Sequence, residues 1–594
     1  VTRRQRTTLR RARTFARRAT VIGALTLAGG VAAAQDSTAS AADSGRAPRD
    51  AAHGGCDGER VSAIDIERQP PPVIQNHGGF TRLALKVALQ HATTREWVVR
   101  DLLQIKVGDI CSNHLMEEAA RVLRTAPFIA GASVAAVADS GGRVRIAVQT
   151  VDEVPPILGA SIGFDGLRSL LVGNSNVGGG GMLLAGSYER GGDYRNGFGV
   201  RFDHYHLFSS PTVLDISATR RPLGDAVSMG LGRAFLTDLQ PAAWHTGYSH
   251  VFDYQGFLRP DGVSVTFPVS RTLYHLGGVA RIYVDRASVL IGGVLSRESA
   301  NPHPDQELVN GQPGEGPPDT AFARYHGYNN TRASVLLGFR QLNYIQVASF
   351  DAMSGEQNVP RGLQLVTFLG KSVPWFNDGD RDYFFSVDGY GAVGNARSLL
   401  LGRFQGEIRR DLTSDQWDGL VVTGRLLWHL RQSPTRTFQL TGELSSLWRE
   451  RLPAQLGFAD TRGGLRGFRG SDLIGGHRLV ARAEERWLRG HVTSHAAWGF
   501  SAFVDAGVLA AGDIPYGVDS GVRSSFGGSL LVAIPPESKR LYTMEVAVPV
   551  RRDQGSAVQL RFYTAIPARA FWNEPGDAHR VRAGVPTGGI FSWP

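Results

Sequence analysis

At 594 residues the chain has room for several domains, or for one large closed barrel that absorbs most of its length. Its 73 glycines against 5 methionines suit an all-β protein rich in tight turns. The net charge of +10 at first suggests a polyanion-binding protein, but Arg3, Arg4, Arg6, Arg10, Arg11, Arg13, Arg17 and Arg18 supply eight of those charges ahead of the first acidic residue, Asp36, so no nucleic-acid partner is expected.

The arginine-rich start runs into an apolar stretch, Val21 to Ala34, that ends in Ala32-Ala33-Ala34. Basic, then apolar, then A-x-A predicts a secretory signal peptide over 1–34, and the apolar run is shorter than the ~20 residues a spanning helix needs. Residues 35–55 are small, polar and without periodicity, and predict a flexible leader. The two cysteines, Cys56 and Cys111, both follow the signal. In an oxidising compartment a disulfide between them is expected, with two unpaired thiols as the alternative.

A small domain is predicted over 56–153. It opens with a strand from Arg60 to Glu67, followed by a helix over Thr94–Leu103 and a turn at Gly108-Asp109. A second helix runs from about Ser112 to Thr125, with Leu115, Ala119 and Leu123 on one face and Ser112 placed to cap it. Two strands follow, about Ala132–Ala138 and Arg143–Val151, joined at Ser140-Gly141-Gly142, so the order is β-α-α-β-β.

From Ile157 onward, segments of about ten residues alternate apolar and polar. Phe404, Gly406 and Ile408 oppose Arg403, Gln405, Glu407 and Arg409; Leu440, Gly442 and Leu444 oppose Thr441, Glu443 and Ser445. A soluble sandwich alternates in the same way. The signal peptide, the long succession of strands and the contrast of short turns such as Leu223-Gly224-Asp225 with long loops such as Ser296–Tyr325 favour a transmembrane barrel over 157–594. Tyr188, Trp428 and Trp448 near strand ends are candidates for interfacial girdles.

The most informative segment is Asp460–Glu485, DTRGGLRGFRGSDLIGGHRLVARAEE. Leu465-Arg466-Gly467-Phe468 is followed by Gly475-Gly476, by a strand containing Glu484, and by Phe503-Val504-Asp505-Ala506-Gly507 on the next strand. These motifs resemble, in order and spacing, those of the BamA/TamA outer-membrane insertase and transporter superfamily, in which a POTRA domain precedes a bacterial surface antigen barrel. The resemblance implies an inward-folded loop over 455–476 whose Arg466 is latched by Asp505 and Glu484; Glu-x-Arg spacing with Arg486 favours Glu484 over Glu485. On the second strand Phe503, Asp505 and Gly507 share one face and Val504 lies on the other, as a lumenal Asp505 requires. Gly467 permits close backbone approach and Phe468 can pack on the wall.

The resemblance also implies a mainly β fold: an antiparallel barrel of about 16 strands, with about eleven before the loop and five after it (477–488, 498–509, 522–534, 540–550 and 556–565), preceded by the POTRA-like domain. More than eleven candidate strands precede the loop, so some are expected to be fragments. Phe571-Trp572 is the expected end of the last strand, with a tail beyond it.

No nucleophile elbow of the strand-turn-helix kind and no H-E-x-x-H motif is read in the sequence, so no enzyme and no cofactor are expected. Glu484 with Asp505 reads as an arginine-paired cluster rather than an acid/base pair. His204 and His206 share a face but lack a third ligand, so no metal site is expected. Gly178 to Gly181 lacks the Lys-Ser/Thr of a phosphate loop and reads as a strand-entry element. The functional expectation is polypeptide insertion or translocation at the bacterial outer membrane, the first domain capturing clients from the periplasm. The partners are membrane lipids, unfolded outer-membrane or secreted polypeptides and an envelope-spanning partner protein. A passive pore or receptor, or a structural anchor for an envelope complex, is the alternative.

Overall fold

The computed structural model describes residues 56–582, apart from 76–85, 87–88, 164–165, 192–193, 285–286, 310–311, 314–319, 374–378, 461, 494, 552–555 and 566–568. The expected signal peptide and leader, and the end of the expected tail, lie outside the described residues.

The N-terminal part is a small α+β unit. Strands β1 (Asp57–Gln69), β2 (Ile110–Ser112), β3 (Ile129–Asp139) and β4 (Arg143–Asp152) form one sheet in the order β2-β1-β4-β3, with β1 and β4 parallel. A short helical turn, α1 (Pro72–Gln75), and helices α2 (Glu96–Leu103) and α3 (Asn113–Thr125) accompany it. Ser112 caps α3 by accepting from the Leu115 amide, satisfying one of the free donors at its start. The apolar stripes of α2 and α3, including Val98, Leu102, Ala119 and Leu123, bury against Ile146 and Val148 of β4. The short β2, absent from the sequence reading, pairs with the start of β1 and carries Cys111, which is joined to Cys56 in a disulfide with Cα atoms 5.3 Å apart.

Twenty antiparallel strands then close into a barrel. They are β5 (Pro156–Gly163), β6 (Gly166–Asn174), β7 (Met182–Glu189), β8 (Gly197–Leu207), β9 (Thr212–Arg220), β10 (Gly224–Arg233), β11 (Ala242–Leu258), β12 (Ser264–Val284), β13 (Ala287–Pro302) and β14 (Tyr328–Ala348). The remainder are β15 (Glu356–Ser372), β16 (Asp382–Gly394), β17 (Ser398–Asp411), β18 (Trp417–Ser433), β19 (Arg436–Trp448), β20 (His477–Thr493), β21 (Ala496–Ala510), β22 (Arg523–Ala533), β23 (Leu541–Pro549) and β24 (Gln559–Ala565). The expected count of about 16 is therefore corrected to 20. Five strands follow the loop and fifteen precede it, so the surplus candidates are real strands rather than fragments. Two further details change. Ser296–Pro302 belongs to β13, and the turn at 221–223 lies at the same end of the barrel as the long 303–327 connection. The asymmetry holds for the barrel as a whole, because no link at the end carrying the N-terminal domain exceeds eight residues, whereas 449–476 at the other end has 28.

Alternation sorts the wall into two faces. Val504, Leu440, Leu444, Leu426, Phe526 and Phe404 are exposed outward, while Asp505, Glu443, Ser445, Glu407 and Arg409 are buried in the lumen. Closure between β24 and β5 is brief. Among the described residues only Leu560 to Tyr563 pair with Ile162 to Gly159, and below them the Thr564 hydroxyl donates to the Leu158 carbonyl and accepts from its amide in place of a backbone ladder.

The small domain is fastened to one mouth of the barrel. Tyr205 and Leu236, both from the barrel, complete its apolar core. The glycine run after β6 is the socket: the Arg95 amide donates to the Gly179 carbonyl, and a Cβ at Gly179, whose φ is +70°, would lie 2.2 Å from the Thr93 carbonyl oxygen. Asp152, fully buried, accepts from the Thr94 amide and hydroxyl, and Asn176 bonds the same hydroxyl. Across the mouth, Arg540 donates to the carbonyls of Val154 and Pro127, and Glu118 accepts from the Asp238 amide.

The disulfide closes a loop of 55 residues. Cys111→Ser is expected to lower the stability of the N-terminal domain by about 4 kcal/mol on the loop-entropy relation. Urea-dependent trypsin cleavage of that domain, with the parent in reductant as reference, measures the loss.

Candidate functional site: a latch inside the lumen

The 449–476 segment folds back into the barrel, and a two-residue ladder, Leu456-Gly457 with Ile474-Gly475, pinches its base. At its tip Arg466 meets carboxylates from the wall. Its Nε and Nη2 donate to the two Asp505 oxygens at 2.7 and 2.6 Å, and Nη1 donates to Glu484 at 3.1 Å. This forked geometry suits a planar guanidinium and supplies charge-assisted bonds in a site where Asp505 is fully buried. Glu485, on the opposite face of β20, pairs instead with Arg436. Arg486 completes the cluster by donating to Glu484 at 2.8 Å.

The other motif residues act through shape. The Arg466 guanidinium lies 3.4 Å over the Phe503 ring, a stacked cation–π contact. Gly467 adopts φ +87°, and a Cβ there would press on Pro549 at 3.2 Å. Leu465 and Phe468 are buried with Phe458, Val480 and Leu509, so they hold the loop to the wall by apolar packing. Gly507 leaves space for Phe458, whose ring would lie 3.0 Å from an added Cβ.

Sequence reasoning missed the extension of this cluster toward the closing strand. Glu545 on β23 lies 3.6 Å from Arg466 and 3.5 Å from Arg561 of β24, and Tyr563 donates to it at 3.2 Å. The Gly467 amide also donates to Gln559, the first residue of β24. The inward alternation of Gln559, Arg561 and Tyr563 was the available signal, but it does not reveal which segment they would meet.

One other expectation changes. Phe571-Trp572 does not end a strand: β24 stops at Ala565, and helix α4 (Arg569–Trp572) turns into the lumen, where Phe571 is buried against Tyr390, Leu399 and Leu427. His206 Nε2 donates to the Gly180 carbonyl, 2.6 Å away, and the ring packs edge-on to Trp97 of α2, so its observed contacts tie barrel to domain.

No protein-family model matches the chain, and no curated protein matches it. Among solved structures, BamA from Haemophilus ducreyi lacking POTRA domains 1–3 is similar at 11% identity and TM-score 0.37, over 85% of this chain and 84% of that one. CdiB from Acinetobacter baumannii is similar at 10% identity and TM-score 0.37, over 86% and 74%. CdiB from Escherichia coli is similar at 12% identity and TM-score 0.29, over 87% and 93%. At such identities and TM-scores these likenesses assign no family. What the structure itself defines is a class: a closed twenty-strand antiparallel barrel with an inward loop and a docked α+β domain.

Removing Arg466 leaves Asp505 and Glu484 buried without their shared cation, and breaking such a pair costs about 3–5 kcal/mol. Arg466→Ala is therefore expected to expose the 455–476 loop to protease at lower urea than the parent. Arg466→Lys, which keeps the charge but loses the fork, is expected to fall between them.

Near the base of the same loop Glu450 is buried, with one carboxylate oxygen lacking a hydrogen-bond partner among the described residues. Burial pushes its pKa from an ordinary 4.5 up to about 8, with Glu407, Asp418 and Asp513 adding repulsion and Arg409 opposing. A raised folded pKa means the folded loop binds the proton more tightly than the unfolded one. Its contribution is complete below about pH 4.5 and is lost as pH rises through about 8. Protease resistance of the loop is expected to fall across that window, and Glu450→Gln is expected to flatten the dependence.

Proposed function

We propose that this protein is an outer-membrane barrel that assists the insertion or passage of polypeptides, with residues 56–153 acting as a POTRA-like periplasmic domain. The observation that carries the reading is the seam: among the described residues four pairs close the barrel between β24 and β5, against seventeen between β11 and β12. Hydrogen bonds opened in an apolar solvent must be remade, and an incoming strand remakes them by adding to the exposed edge. The outer edge of β3, which has no strand partner among the described residues, offers the same chemistry to a chain arriving at the N-terminal domain. The latch is built on β20, β21 and β23 and touches β24, which supports a role for Leu465, Arg466, Gly467, Phe468, Glu484, Phe503, Asp505 and Gly507 in setting the state of that seam.

The outward apolar surface supports the membrane setting, because an exposed band of this extent is not stable in water. Val504→Arg, at an outward position 57% exposed, is expected to destabilise the barrel in vesicles by about 2–4 kcal/mol if it lies near the bilayer centre. Urea unfolding in vesicles measures it; a change within ~0.5 kcal/mol would place that face in water.

The function is tested by stapling the seam with Ser161→Cys and Arg561→Cys, which face each other across it. Insertion of a urea-unfolded eight-stranded outer-membrane protein into vesicles is expected to slow with the staple oxidised and recover on reduction, relative to the parent treated identically. Unchanged insertion would favour a passive pore or receptor, or an anchor for an envelope complex.

A further inference from the structure

Beyond β24, the described residues 569–582 lie within the barrel. Helix α4 and then helix α5 (Gly576–Val581) run through the lumen, and the wall holds them by an arrangement that reads main chain and carboxylates. Arg425 donates to the Phe571 carbonyl and Arg403 to the Trp572 carbonyl, each at 2.8 Å. Arg271 of β12, on another part of the wall, reaches the carbonyls of Arg580 and Arg582. Two side chains anchor the segment. Glu574 accepts from Thr423 at 2.8 Å and pairs with the segment's own Arg582, while Asp577 pairs with Arg478, which is completely buried. The Ala578 and Val581 side chains enter the same apolar cluster as Leu465 and Phe468 of the latch loop.

We infer that this stretch of the lumen wall is a polypeptide-binding site, specific for a short segment with two carboxylates three residues apart, and that residues 569–582 are its resident ligand. Three arginines of the wall spend their donors on carbonyl oxygens, which any peptide presents, so most of the grip is independent of sequence. The carboxylate anchors supply the selectivity, because Arg478 is buried and an uncharged occupant would take away both of its bonds to Asp577, leaving it only the Gly457 carbonyl and Glu443 at 3.4 Å. The seat also has room beside it. A cavity of about 730 Å³ lies along the segment, lined on one side by Trp572, Glu574 and Arg580 and on the other by Asp215, Tyr248 and His275. The segment and the latch are mechanically joined: Asp460 of the loop accepts from the amides of Gly576 and Asp577, and the Gly457 amide donates to Asp577. A competing acidic segment therefore acts on the loop as it takes the site. This inference rests on the interior geometry and goes beyond the proposed membrane function.

The test uses the full chain and a chain ending at residue 568, both in detergent, with folding read by far-ultraviolet circular dichroism. Each is titrated with a fluorescein-labelled synthetic peptide of residues 569–582. The shortened chain is expected to bind it saturably, and the full chain at least tenfold more weakly because its site is filled. A peptide carrying Glu574→Gln and Asp577→Asn is expected to bind the shortened chain at least tenfold more weakly than the parent peptide. If the shortened chain does not fold, the full chain carrying those two substitutions replaces it and is expected to bind the parent peptide at least tenfold more tightly than the unsubstituted chain does. A folded shortened or substituted chain that fails to bind, or that treats the two peptides alike, overturns the inference. Unfolding of Val504→Arg in vesicles reads the membrane setting separately, so the two can fail independently.

Discussion

A barrel of twenty strands encloses more cross-section than its own inward side chains can fill, and the rest of this structure follows from that constraint. Eight strands leave an interior that side chains occupy; at sixteen to eighteen an open channel remains. Here the interior is taken up by two pieces of backbone, the 449–476 loop and the segment after β24. Bringing backbone into a lumen brings carbonyl and amide groups that need partners. The arginines and carboxylates of the inner wall meet that need, which is why so many of them are buried and few stand alone.

The buried charges are also selective. Replacing an ion pair by apolar groups of the same volume is often neutral, so such pairs are weak evidence for stability in themselves. Their effect here is to fix position. Arg466 fits Asp505 and Glu484 at one depth of the lumen, and Phe503 fixes the plane of its guanidinium. Arg478, on the same strand as Glu484, does the same for Asp577. A loop held only by Leu465 and Phe468 could slide along an apolar wall; a loop held by a fork cannot.

Much of this was legible in the sequence. The loop motif was legible through the resemblance, and strand alternation puts Phe503 and Asp505 on one face of β21; that this face is the lumenal one was implied by the resemblance and not by spacing. The strand count was not legible. The resemblance suggested sixteen, and each short strand between 156 and 233 carries too weak an alternation to argue against that total alone. The course of the segment after β24 was hidden for a different reason: Phe571-Trp572 looks like the aromatic end of a strand, and only the contacts of Phe571 with Leu399 and Leu427, more than 140 positions earlier in the chain, turn it inward. The glycine run at 178–181 signalled a turn, while its use as a socket for Thr93 and Arg95 depends on a domain folded from elsewhere in the chain.

These features converge on the closing seam. The latch reaches β24 through Gln559 and, by way of Glu545, through Arg561 and Tyr563; the N-terminal domain leads directly into β5 and is braced against the turn before β23 by Arg540. Both strands of the weakest ladder are thus held from outside the ladder. Four residue pairs contribute only a few net hydrogen bonds, each worth about 1 kcal/mol, so packing and charge around the seam weigh as much as the seam itself. A shift of the loop by one residue would forfeit the Arg466 fork and the Gly467 contact together. The contacts of the latch with the closing strand thus lie in the lumen, on the side of the wall that an outward-facing strand edge does not see.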